Sequence, residues 1–369
     1  MTSHEPPTSP AAMPNQDSPT AAPMSVAEAA GACRAVLDRV GEAVVGKRDA
    51  LGLVLAGVLA GGHVLLEDFP GLGKTLAARS FAQALGLSFR RVQFTPDLLP
   101  ADVSGAFVYD QKTSEFVFRP GPIFAGLVLA DEINRTPPKT QAALLESMQE
   151  HQVTVEGETF PLPEPFHVLA TANPVEYEGT YPLPEAQLDR FLLRVGFGYP
   201  SADEEWDVLA RRLARRREDQ QVEAVLDAQG LLAVQRAVET VVVEESVGRY
   251  CIDLASAARR HQQVMVGASP RGSLALMLTA RALAVLAGRD YVVPEDVKAV
   301  AEPALAHRIT LRPELWLQDA SGASVVRQVL ASVPTPPTSR AAGAPLTGSA
   351  TSPPTGGLPA ASPLAPPFG

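Results

Sequence analysis

The chain has 369 residues, 46% of them hydrophobic and 20% charged, with a formal net charge of −10. That is enough apolar chain for two domains with proper cores, and the acidic balance argues against general nucleic-acid binding, which rests on clustered Lys and Arg neutralising phosphates. Two cysteines, Cys33 and Cys251, lack disulfide or metal spacing and read as buried apolar side chains in a reducing cytoplasm.

Residues 1–24, rich in Pro, Ser, Thr and Ala, and the Pro/Ala/Gly-rich end at 335–369 offer too little apolar surface to offset the entropy of ordering, so both are expected to be disordered. The first residues carry neither the basic start nor the apolar stretch of a secretory signal. Ser25 with Glu28 forms a capping box that opens a helix, and after Val44-Val45-Gly46 a second helix runs from Asp49 to Leu59. The apolar stretch Leu51 to Leu66 is shorter than the roughly 18 residues of a membrane span, is broken by Gly61-Gly62 and carries His63; it reads as a buried helix followed by a buried strand.

That strand stops in Asp68-Phe69-Pro70-Gly71-Leu72-Gly73-Lys74-Thr75, and an alanine-rich helix over about 74–86 follows. Strand, Gly/Pro loop and helix start form a phosphate cradle: Pro70, Gly71 and Gly73 turn backbone N–H groups inward, and the helix adds the positive end of its dipole. Lys74 would reach the β/γ-phosphates of a bound polyphosphate, and the Thr75 hydroxyl would ligate Mg²⁺. The strict pattern has glycine where this chain has Asp68.

Phe89 to Thr95 alternates apolar and polar residues and reads as a strand; Asp97 to Gly105 breaks the pattern, and Phe116-Val117-Phe118 is a short hairpin arm closed by Pro120-Gly121-Pro122. Gly126 to Glu132 is a third strand, apolar until it ends in Asp131 and Glu132. An amphipathic helix over 138–150, a hairpin of 152–155 with 159–162, a fourth strand from His167 to Asn173 and a fifth from Phe191 to Phe197 follow. Strands alternating with helices imply a parallel sheet covered on both faces. After Pro200, Ser201 and Glu204 cap a helix to about Arg217, and the rest to about 333 is read as all-helical, with Pro294 at a helix start. Arg211, Arg212, Arg215, Arg216 and Arg217 read as its solvated face.

In an open α/β sheet ligands sit at the carboxyl ends of strands, which puts Asp131 and Glu132 beside the phosphate loop. Two such acids can simply begin a loop. Carboxylates are costly to desolvate without partners, however, and after a phosphate loop they fit a Mg²⁺-dependent NTPase: Asp131 on the metal side, Glu132 polarising the attacking water. Asn173 would orient that water, or is an Asn in a turn before Pro174.

The stretches Leu66 to Thr75, Val92 to Asp102, Asp131 to Gln141, Ala170 to Pro174, Tyr181 to Phe191 and Ser269 to Gly272 together resemble the MoxR family of AAA+ ATPases over residues 25–335. The resemblance implies an AAA+ α/β core with a five-stranded parallel sheet (25–200) and a C-terminal helical lid (201–334). It also implies ATP and Mg²⁺ as ligands, a homo-oligomeric, usually hexameric ring with nucleotide at subunit interfaces, and cytoplasmic chaperone work on protein complexes, often with von Willebrand factor A-domain partners. By the same resemblance Asn173 matches sensor 1, Arg190 the arginine finger and Arg271 the sensor 2 arginine on the lid, its place after Pro270 at a helix start aiming the guanidinium across the cleft at the γ-phosphate, while Val45 and Gly46 join the nucleotide-binding set. Residues 102–122 match the helix-2 insert and 152–162 the pre-sensor hairpin. Arg190 has an alternative as a salt bridge with Asp189 or Glu185, and Arg194 is a second finger candidate. A nucleotide-gated scaffold that hydrolyses slowly, and a nucleic-acid motor, are the competing functions.

Overall fold

A run of residues that is apolar at every position has to be covered on both sides, and the centre of this chain is built of such runs. The computed structural model describes residues 24–173, 179–216, 221–315 and 320–337. The expected disordered ends lie outside them except for Met24 and residues 335–337, and so do Pro174, Arg217 and the expected helix break at Glu218-Asp219.

The chain opens with helices α1 (Val26–Ala43) and α2 (Arg48–Leu59), then β1 (Val64–Glu67), α3 (Lys74–Ala84) and β2 (Phe89–Gln93). A short helix α4 (Pro100–Ser104) leads into the hairpin β3 (Gly105–Asp110) and β4 (Glu115–Pro120). After it come β5 (Leu127–Asp131), α5 (Pro138–Glu150), the hairpin β6 (Gln152–Val155) and β7 (Glu158–Pro161), β8 (His167–Ala172), α6 (Glu185–Leu188) and β9 (Leu193–Val195). The C-terminal part holds α7 (Ala202–Arg215), α8 (Ala228–Glu239), α9 (Glu245–Arg260), β10 (Val264–Val266), α10 (Pro270–Leu286), α11 (Pro294–Leu305), β11 (Thr310–Leu311) and α12 (Gly322–Ser332).

Five strands form one parallel sheet in the order β2-β5-β8-β1-β9. Side chains alternate between its faces. Val64, Leu66, Leu127, Leu129 and Leu169 enter a core shared with α1–α3 and the C-terminal helices, while Leu65, Val128, Ala130, Val168 and Ala170 enter a second core under α5. The first core runs without a break from the sheet into α8–α12, and the described residues up to Pro336 belong to one compact unit. Both expected capping boxes are present: Ser25 accepts from the Glu28 N–H and Ser201 from the Glu204 N–H, each at 3.3 Å. The expected arm at 116–118 is one side of the β3–β4 hairpin. Within the helical C-terminal part, β10 and β11 add a small antiparallel ladder, too short to carry a periodic signal. Among the described residues no helix is long and apolar enough to cross a membrane.

Two histidines lie in the floor of the sheet. His63 Nδ1 accepts from the Val168 N–H at 3.0 Å, so Nε2 must carry the proton that it donates to the Met148 carbonyl at 3.0 Å. His167 Nδ1 donates to the Gly62 carbonyl at 3.1 Å, and its Nε2 accepts from the Gln235 amide at 3.1 Å. Both rings are satisfied only when neutral, and burial pushes His63 down to about 3 and His167 down to about 4. Unfolded, each would take a proton near pH 6.5. Their contribution to stability is therefore complete above that value and is lost as pH falls towards 4 and then 3, by up to about 1.4 kcal/mol per pH unit for each ring. The urea midpoint should drop between pH 7 and 5, a window above ordinary carboxylate titration; a flat midpoint there would contradict this account.

Candidate functional site

The carboxyl ends of β1, β5 and β8 meet in one cleft of about 360 Å³, lined by Pro70, Gly71, Gly73, Lys74, Thr75, Leu76, Asp131, Glu132, Thr171, Ala172 and Asn173. β8 lies between β5 and β1, so Thr171 and Asn173 stand between the two acids and the loop. Gly71 and Gly73 both have φ of 82°, with nothing within 4 Å of where a Cβ would be. A side chain would be strained there by the backbone rather than by crowding. Leu72 belongs to the loop but does not line the cleft.

Lys74 heads α3 and folds back over the loop, its ammonium donating to the carbonyls of Asp68 at 2.5 Å and Phe69 at 3.1 Å. Burial draws that ammonium below the ordinary lysine value, against the pull of Asp68, Asp131, Glu132 and Glu67. Its hydrogen bonds go to loop backbone, so it can be redirected to a phosphate without breaking an ion pair. Asp68, at the loop's departure from pattern, is buried. One carboxylate oxygen accepts from the Phe197 and Gly198 N–H groups at 2.7 and 2.6 Å, the other from the Phe69 N–H at 2.9 Å. The acid thus clasps the loop's first turn to the chain leaving β9, where the Tyr199 ring meets the Phe69 ring at 5.4 Å.

Asp131 is held on both oxygens: Thr171 Oγ1 donates to Oδ1 at 2.6 Å, and Arg91 donates to Oδ2 from Nε at 2.9 Å and from Nη2 at 2.7 Å. Glu132 has φ 58° and ψ 48°, the left-handed region, a strain of roughly 1–2 kcal/mol for a residue with a side chain. Its carboxylate accepts from Gln93 Nε2 at 2.7 Å and lies 3.2 Å from Arg135 Nη1. Arg91, Gln93, Thr171 and Arg135 were not read from the sequence as part of the site. The available signal was the polar pair Arg91 and Gln93, two residues apart on one face of a strand that pairs with β5 in register, Gln93 opposite Asp131.

The residues fit a nucleotide triphosphate and its metal. The loop offers uncrowded glycines and a redirectable ammonium, and Thr75 with Asp131 is an all-oxygen donor set suited to a hard cation. Mg²⁺ needs only one or two carboxylates beside the phosphates.

The remaining expected residues lie elsewhere. Gly46 lines a separate cavity of about 380 Å³ between the α1–α2 corner and Arg211, and the Glu204 side chain fills the place of a Cβ on Gly46. Val45 lines neither cavity. The corner still reaches the loop's mouth, because Lys47 Nζ donates to the Tyr199 carbonyl at 3.0 Å. Arg190 and Arg271 line a third cavity of about 230 Å³ with Gly61, Gly62 and His63, and no residue of the phosphate loop takes part. Arg271 was expected to aim across its own cleft; the structure puts it at the amino ends of the strands. Ser269, which caps α10, donates to Asp189 at 3.0 Å, and the buried Arg308 donates to Asp189 at 2.7 Å and to the Phe191 carbonyl at 2.8 Å, pinning the start of α10 there. Asp189 is thereby committed to Arg308. Arg190 instead donates to the Leu145 carbonyl at 2.5 Å and leaves its Nε buried without a hydrogen-bond partner. Arg194 is paired with Glu67 at 2.9 Å.

A phosphate loop at a strand end, two acids on the next-but-one strand and a helical lid define a P-loop nucleotide-binding protein. Residues 63–193 match the ATPase family associated with various cellular activities (AAA), and residues 256–329 match the AAA lid domain. The chain is 49% identical to the uncharacterized protein YeaC of Bacillus subtilis, over 81% of this chain and 93% of that one. It is 43% identical to the chaperone MoxR1 of Mycobacterium tuberculosis over 79% of each. A Cytophaga hutchinsonii protein solved as a candidate ATPase superposes with a TM-score of 0.79 at 40% identity, over 85% of this chain and 97% of that one. The chain belongs to the MoxR family of AAA+ ATPases.

Proposed function

We propose that this protein hydrolyses ATP with Mg²⁺ as one subunit of a homo-oligomeric, hexameric ring and uses the turnover to remodel protein clients. The observation that carries the reading is the separation of Arg190 and Arg271 from the phosphate loop of their own chain. They sit beside Gly62 and His63, before β1, whereas the loop begins at Asp68, after it. Five residues of extended chain span about 16 Å, beyond the reach of an arginine side chain to its own nucleotide. Two arginines gathered on one face, one of them with an unsatisfied buried Nε, suit the ATP of an adjoining subunit. Each interface then joins the phosphate loop of one nucleotide-binding core (25–200) to Arg190 of the next core and Arg271 of its lid (201–334). Exposed apolar residues on α7, namely Trp206, Leu209 and Leu213, support association, since such faces mark contacts.

Within a subunit, Lys74 and the loop N–H groups bind the β/γ-phosphates, Thr75 and Asp131 hold the metal, Glu132 takes the proton of the attacking water and Asn173 orients that water. Mg²⁺ supplies charge neutralisation on the phosphate oxygens. The client side is the exposed β3–β4 hairpin, with Tyr109 and Phe116, whose Phe118 stacks on Phe160 of the β6–β7 hairpin at 3.9 Å. The relative named as a chaperone supports a protein client, and a von Willebrand factor A-domain protein is the partner class to test first. The hold of Gln93 and Arg135 on Glu132 favours slow basal turnover, the property of the scaffold reading, and stimulation of hydrolysis by a client separates the two.

Sedimentation of Glu132→Gln with ATP and Mg²⁺ tests the assembly: a discrete species of about six chains is expected, carrying its client from extract. A monomer under every nucleotide condition would remove the ring and with it the function proposed.

A further inference from the structure

Both acids of the cleft are tied to the edge strand β2 through one guanidinium. Arg91 places Nε and Nη2 on Asp131 Oδ2, and the same Nη2 donates to Gln93 Oε1 at 2.7 Å, while Gln93 Nε2 donates to Glu132 Oε2 at 2.7 Å. Thr171 occupies the other Asp131 oxygen. Oδ2 thus takes two donors and Oδ1 one, so a metal reaching this carboxylate meets the charge of Arg91 at either oxygen.

We propose that Arg91 is a positioning residue: the counter-ion of Asp131, competing with the metal for that acid and, by the same contact, presenting Gln93 to Glu132. This rests on the Mg²⁺-dependent ATPase reading above. The partners differ in freedom. The Arg91 side chain is 50% exposed and the Asp131 side chain only 11%. Asp131 ends a fully buried strand and cannot withdraw, whereas Arg91 can swing into water and keep its charge solvated. A permanent cation on Asp131 opposes a second cation at the same carboxylate, so Arg91 favours the metal-free acid and has to loosen its hold as a metal binds. Release also removes the donor that fixes Gln93 Oε1, which loosens the amide holding Glu132. Strand pairing does not need the arginine, since the β2–β5 ladder runs from Phe89 to Gln93 through main chain.

The test uses the full chain as wild type, Arg91→Gln and Arg91→Lys, with a fluorescent ADP analogue titrated in EDTA and across a Mg²⁺ series. Half-exposed ion pairs change equilibria by about two- to five-fold. Arg91→Gln should therefore reach its half-maximal Mg²⁺ effect at about two- to five-fold lower Mg²⁺, and its ratio of affinity with Mg²⁺ to affinity in EDTA should rise by a similar factor. Arg91→Lys, which keeps the charge but not the two-pronged contact, should fall between Arg91→Gln and wild type; it decides the matter if Arg91→Gln fails to fold. Variants with the thermal midpoint of wild type and an unmoved Mg²⁺ midpoint would make Arg91 a structural ion pair, leaving the ATPase reading intact. Wild-type binding that is the same in Mg²⁺ and EDTA would overturn both.

Discussion

Arg190→Ala is expected to bind ATP like the wild type and to lose about 10³–10⁵ of its turnover, the contribution typical of an arginine that meets the charge developing on a transferred phosphoryl group. The residue's neighbours support an effect on chemistry rather than on folding. Asp189 is already neutralised by Arg308, and Glu185 takes the Thr310 hydroxyl, so neither acid depends on Arg190. Arg190 itself donates to the Leu145 carbonyl, and its Nε is buried without a hydrogen-bond partner. If Arg190 serves the neighbouring subunit of the proposed ring, activity should return in mixtures. Arg190→Ala subunits keep Lys74 and Lys74→Ala subunits keep Arg190, so a mixed ring contains interfaces at which both are intact. Arg194→Ala is the control, since Arg194 is occupied by Glu67. If fluorescence transfer shows that subunits exchange and the mixture remains as inactive as its parts, Arg190 acts within its own chain or is structural.

The parts of the site that follow from chain direction were legible in the sequence. A strand that runs apolar to its end and then changes to Gly-Lys-Thr, Asp-Glu or Asn can deliver those residues only to the carboxyl edge of a parallel sheet, and there Lys74, Thr75, Asp131, Glu132 and Asn173 meet. What depends on contacts between distant segments was not legible. Arg91 and Gln93 sit at polar positions of an alternating strand, which in sequence is indistinguishable from a solvated face; only the register of β2 on β5 turns them towards the acids. Asp68 looked like a blemish in the phosphate loop, and its function as a clasp depends on the N–H groups of Phe197 and Gly198, well over a hundred residues further on. The side of the sheet on which the lid settles is decided by Ser269 and Arg308 gripping Asp189, a contact that no helical period announces, and it moves Arg271 from its own cleft to the company of Arg190.

Lys74→Ala and Glu132→Gln should both abolish turnover while differing in affinity, and that difference is the sharper test of the site. In the function proposed above, Lys74 meets charge that is present in bound ATP before any reaction. Its ammonium donates to the Asp68 and Phe69 carbonyls, and nucleotide binding would exchange those neutral acceptors for a charged phosphate. Hydrogen bonds to charged groups contribute about 1.5–3 kcal/mol, so Lys74→Ala should weaken ATP binding about ten- to a hundred-fold. In the same proposal Glu132 meets the attacking water, whose proton leaves only during the reaction, so its effect should belong to the transition state. Gln fills the same space, can take the same strained backbone at no greater cost and keeps an oxygen for the Gln93 amide, while losing the basic carboxylate. Affinity should therefore stay within about two-fold of wild type while turnover falls about 10²–10⁴-fold, the range of a positioned general base. Titration of ATP into both variants, with single-turnover hydrolysis measured alongside, separates the roles. Equal loss of binding in the two would mean that Glu132 supports the loop's structure, and the water-activating acid would have to be sought elsewhere.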